Sequence, residues 1–82
     1  MNRTAFEIAL AIRNVHTTVD LSERVGISRQ TLTPIRHGLK EATPEVAEQI
    51  RNGLKLTDDE YKMIFPLQAE ITAARERYAK GV

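Results

Sequence analysis

Three side chains of this 82-residue chain have the types and spacing that read base-pair edges: Arg29, Gln30 and Thr33. Arginine can fork onto guanine O6 and N7, and glutamine can pair with adenine N6 and N7. Threonine offers a methyl group to thymine or a hydroxyl to phosphate. On a helix, positions 29, 30 and 33 share one outer face. Groups suited to a phosphate backbone stand around them. Thr17 and Thr18 present hydroxyls and backbone N–H groups at a helix start, Ser28 does the same one helix later, and Arg36, His37 and Lys40 follow. For Thr17 and Ser28 helix capping comes first, with phosphate contact additional to it.

Other chemistries find less support. His16 and His37 lie far apart in sequence, neither beside a Ser or Cys nucleophile, so no catalytic residue is expected. There is no cysteine, hence no disulfide framework and no thiolate metal site. No metal or other cofactor is expected. Asp58-Asp59-Glu60 lacks the glycine and spacing of a calcium loop and reads as an acidic helix start. Two Phe, two Tyr and no Trp make a poor base-stacking surface for single strands. No apolar run approaches the roughly 20 residues of a membrane span. In the N-terminal apolar tract, Glu7 and Arg13 recur at helical spacing, unlike a signal peptide. A cytoplasmic location is the expectation.

The net charge of +1 is low for a nucleic-acid binder, but its distribution is uneven. Residues 21–40 hold Arg24, Arg29, Arg36 and Lys40 against Glu23. Residues 41–60 hold six acids against Arg51 and Lys55. A basic patch beside an acidic one suits an oriented approach to a polyanion.

Every long segment is periodic at helical spacing, so the chain is expected to be all-α, with five compact helices and a C-terminal one. A capping box of Thr4 and Glu7 predicts a first helix from Thr4 to about His16. Thr17 caps a second helix, ended by Gly26; Ser28 caps a third, ended by Gly38. Thr43-Pro44-Glu45 opens a fourth, running to about Asn52-Gly53 and burying Val46, Ala47, Ile50 and Leu54. Thr57 and Glu60 form a capping box for a short fifth. Pro66 breaks or restarts the chain. The last segment places Leu67, Ile71, Ala74 and Tyr78 on one stripe, with Gly81 near its stop. That stripe is expected to dock on the domain or to pair with a second copy.

Residues 21–38, LSERVGISRQTLTPIRHG, tie these observations together. Leu21 and Val25 before the turn, and Ile27, Leu32 and Ile35 after it, would press two short helices together. Arg29, Gln30 and Thr33 would stay outside. The segment resembles the Cro/cI-type (XRE-like) helix-turn-helix family of phage repressors and bacterial regulators, over about residues 4–65. The resemblance implies a five-helix lambda-repressor-like domain over residues 1–66, with residues 67–82 as the additional helix. It also implies double-stranded operator DNA as ligand, usually bound by a homodimer.

Three positions depart from that pattern. Ser22 replaces a usual small Ala, the turn after Gly38 carries only Lys40 as a cation, and Pro34 lies inside the third helix. Proline there removes the bond to the Gln30 carbonyl and costs roughly 3 kcal/mol in a regular helix interior. The third helix is therefore expected to bend, or to shorten and tighten at its end. These departures leave a second expectation beside the DNA-binding regulator: an antirepressor or modulator that keeps the fold and binds a partner repressor protein.

Overall fold

The computed structural model describes residues 1–80, and the expected stop at Gly81 lies outside them. Among the described residues there are six helices and no strand: α1 (Arg3–Ile12), α2 (Thr18–Val25), α3 (Arg29–Arg36), α4 (Pro44–Leu54), α5 (Asp58–Ile64) and α6 (Pro66–Lys80). The all-α expectation holds. Among the described residues no helix is long and apolar enough to cross a membrane. One core gathers Phe6, Leu10, Leu21, Leu32, Ile50, Ile64 and Phe65, each at most 1% exposed. The Phe65 ring packs between two others, with ring centroids 6.2 Å from Phe6 and 5.8 Å from Tyr61.

Helix α1 starts earlier and stops sooner than its sequence pattern suggests. Asn2, not Thr4, is the cap: its Oδ1 accepts the Ala5 N–H at 3.1 Å, and its own N–H bonds the Ile64 carbonyl at 2.8 Å. The tie to α5 fixes the chain two residues before Thr4, which is left exposed on the first turn. At the other end Asn14 takes the left-handed conformation, φ 57°. Val15 N–H reaches back to Leu10 O at 2.9 Å, and Asn14 N–H reaches Ala11 O at 3.1 Å. This six-to-one and five-to-two pairing closes the helix well before His16.

Ending there turns Arg13 inward while Ile12 stays 69% exposed. Arg13 donates to the carbonyls of Leu54 (2.7 Å) and Ala9 (3.1 Å) and pairs bidentately with Glu60 at 2.6 and 2.9 Å. Glu60 also completes the expected capping box by accepting the Thr57 N–H at 2.9 Å. The Arg13 hydrogen bonds, then the Thr57 N–H, hold the Glu60 carboxyl down at about 2. The guanidinium is raised in turn, chiefly by its hydrogen bond to Glu60. One charged pair thus joins α1, the end of α4 and the start of α5.

Helix α4 passes through Gly53 and ends at Leu54, where Lys55 adopts φ 56°. Gly53 is therefore no stop signal but a contact point. A Cβ there would lie 2.6 Å from Val25 Cα and 2.7 Å from the Arg24 carbonyl oxygen, so α4 and α2 touch backbone to backbone. Val46, expected in the core, is only partly buried; Ala47, Ile50 and Leu54 are in it.

Helix α6 restarts at Pro66 and docks through a face different from the expected stripe. Gln68, 1% exposed, donates to the Ala42 carbonyl at 2.7 Å and to Glu41 Oε2 at 3.1 Å. Ala69 packs on the core, and Arg75 bridges to Glu45 at 3.1 Å. Leu67 is 55% and Tyr78 83% exposed, Ala74 is exposed, and Ile71 is half-buried. Docking by the Leu67, Ile71, Ala74, Tyr78 stripe is therefore corrected. The buried Gln68 amide satisfies two acceptors between α3 and α4, and seating it turns the stripe outward. Residues 73–79 are exposed throughout. The radius of gyration, 12.8 Å, exceeds the about 12 Å of a fully compact chain of this length.

Candidate nucleic-acid interface

The geometry is built from the turn between α2 and α3. Gly26 follows α2 at φ 70°, where a residue lacking Cβ avoids the left-handed strain, and its N–H bonds Ser22 O at 2.9 Å. The Ser22 hydroxyl donates to the Ile27 carbonyl and stitches the turn. From α4, the Gln49 amide donates to the carbonyls of Val25 (3.0 Å) and Gly26 (3.2 Å), satisfying the open end of α2. Sequence reading had passed over Gln49; nothing in its spacing marks it.

Inside the corner the five expected apolar residues are buried: Leu21, Val25, Ile27, Leu32 and Ile35. Their burial fixes the rotation of α3. Arg29, Gln30 and Thr33 are consequently exposed together on its outer side. Among the described residues Arg29 makes no ion pair or side-chain hydrogen bond. Ser28 caps α3, accepting the Thr31 N–H and sharing a hydrogen bond with the Thr31 hydroxyl at 3.1 Å. Thr17 caps α2 by accepting the Asp20 N–H at 3.1 Å, and Asp20 lies 3.9 Å from Arg24.

Arg36 is placed differently from its expected position along a phosphate backbone. Its guanidinium forks onto Glu7, with Nε–Oε1 3.1 Å and Nη2–Oε2 3.2 Å, and Nη1 donates to the Thr18 hydroxyl at 3.2 Å. The side chain is 15% exposed. Arg36 and Thr18 therefore brace α3 against α1 and α2. The same bond explains Glu7: its carboxylate faces α3 instead of capping its own helix. His37 and Lys40 are exposed beyond the end of α3.

Pro34 neither breaks nor visibly shortens α3, which runs continuously from Arg29 to Arg36. The proline sits two residues before the helix end. Its carbonyl accepts the Leu39 N–H at 2.8 Å and Ile35 O accepts the Gly38 N–H at 3.1 Å, with Gly38 at φ 75°. The residue that forfeits one helical bond thus belongs to the stop itself. Leu39, next in sequence, is 82% exposed.

No group of three or more His, Cys, Asp or Glu residues able to hold a metal occurs among the described residues. Comparisons with protein-family models, with curated proteins and with solved structures return no match.

Proposed function

We propose that the chain is a small phage-type transcriptional regulator that binds operator DNA in the cytoplasm, with α3 lying in the major groove as a recognition helix. The observation that carries this reading is the joint exposure of Arg29, Gln30 and Thr33 over a corner whose apolar residues are all buried. A rigid helix presenting an unpaired arginine and glutamine from its first turn is what base readout requires. The N-terminus of α2, with Thr17 and the N–H groups of its first turn, approaches the adjacent phosphates; Ser28, His37 and Lys40 flank the helix on the same backbone. Arg36 and Thr18 serve by orienting α3, the charge of Arg36 being paired with Glu7. Operator DNA read in this way needs two recognition helices about one duplex turn apart, hence a homodimer.

The test is a salt-titrated binding assay of the chain against its own upstream DNA and a scrambled duplex. Preference for the first, weakening steeply with salt, supports the reading, since each neutralised phosphate releases counterions. Equal and weak binding to both sinks it. A second reading then takes its place: an antirepressor or modulator that keeps the helix-turn-helix fold and captures a partner repressor protein. The commitment of Arg36 to Glu7 and the exposed Leu39 at the end of α3 favour it. Both remove charge or add apolar surface where a polyanion would lie.

A further inference from the structure

We propose that α6 seats a second copy of this chain, packed antiparallel along the face that carries Leu67, Ile71, Ala74 and Tyr78. These residues are spaced four, three and four apart, the alternation of a two-stranded coiled-coil seam. Leu67, Ala74 and Tyr78 are exposed, turned away from the face through which Gln68 and Ala69 dock, and Ile71 at the edge of that face is half-covered by the domain. Isolated helices of this length are marginal in water, and residues 73–79 are all exposed even with Arg75 bridged to Glu45, so a helix here calls for packing.

Charge chooses the occupant and its direction. Glu70 and Arg77 flank the seam on one side, one heptad apart, and both are exposed. In an antiparallel pair Leu67 meets Tyr78 of the second copy and Ile71 meets Ala74, large against small. In that same register Glu70 faces Arg77 of the second copy, and the two-fold axis repeats the pair. A parallel pair would set Glu70 toward Arg75, which is already bridged to Glu45. Self-complementarity of this kind is the mark of an isologous two-fold contact. Four layers make a short interface, below the about 1,200 Å² typical of stable specific complexes, so association is expected to depend on concentration. This supplies the second copy that the proposed operator reading needs. It is measured without DNA, so the two ideas fail separately.

Sedimentation equilibrium of the full chain over a concentration series is expected to show monomer and dimer. Glu70→Arg and Arg77→Glu each set like charges opposite one another and weaken the dimer by roughly tenfold. The two variants mixed in equal parts recover it, because opposite charges face again in the mixed pair. The double variant does the same. Both positions of substitution are exposed, and circular dichroism checks that the helices persist. A chain that stays monomeric at millimolar concentration overturns the proposal. So do single variants that dimerise like the parent, or a mixture that fails to recover.

Discussion

Arg29 is the side chain on which the proposed base readout depends most directly. It is exposed at the first turn of α3 and makes no ion pair among the described residues, so its removal leaves the fold alone. Arg29→Ala is expected to weaken operator binding by about 1–3 kcal/mol and to relax discrimination at one base pair, with an unchanged unfolding midpoint. Competition binding against single-base variants of the site measures both. Glu7 makes the opposite case, a residue whose loss would help binding and harm folding. Glu7→Gln removes the anion that holds Arg36, lowering stability by about 1 kcal/mol because the pair is only partly shielded from solvent. The freed guanidinium adds a cation near the duplex, and the slope of log affinity against log salt steepens by about 1. An unchanged slope would leave Arg36 purely a brace.

At the scale of the elements, the strongest constraint is the seat of α4 beneath α2. Gly53→Ala drives a Cβ into the Val25 backbone, and neither helix can yield by rotating a side chain. A loss of about 1–3 kcal/mol is expected, read as a lower urea midpoint with an unchanged slope. The same residue shows where sequence reading reached its limit. An Asn-Gly pair near the end of a periodic stretch looks like a helix stop, and only the neighbouring helix reveals it as a point of contact. Asn14 is the converse: a left-handed stop legible in principle, hidden because the apolar period seemed to run on. Caps at Thr17, Ser28, Thr43 and Thr57 were legible, since each depends on residues within four positions. So were the five residues buried in the α2–α3 corner and the exposure of Arg29, Gln30 and Thr33. What stayed hidden rests on partners far along the chain: Arg36 on Glu7, Arg13 on Glu60, Gln68 on Ala42. Spacing carries no trace of these pairings.

The whole molecule is fastened by the Arg13–Glu60 pair, which makes its stability sensitive to acid. The Glu60 carboxyl sits at about 2 in the folded chain, below its ordinary 4.5, mainly through the Arg13 hydrogen bonds. A depressed carboxyl contributes fully above the unfolded value and loses its contribution as pH falls toward the folded one. Stability is therefore expected to decline from about pH 4.5 to about pH 2, and Glu60→Gln to flatten that decline. Thermal melts across this range, parent against variant, decide it. Equal slopes would assign the acid sensitivity elsewhere, for instance to Glu41, held low mainly by its hydrogen bond from the N-terminal ammonium.

The backbone contact between Gly53 and Val25 has a thermodynamic consequence as well. With two main chains touching, and the Gln49 amide clasping the end of α2, the corner and α4 form a block without slack. A ligand that grips α3 meets a surface already set. Its heat-capacity change on binding should match the apolar area covered and no more, lacking the large excess that accompanies folding coupled to association. The entropy of ordering this corner is spent when the chain folds, so a partner that arrives later receives it ready-made.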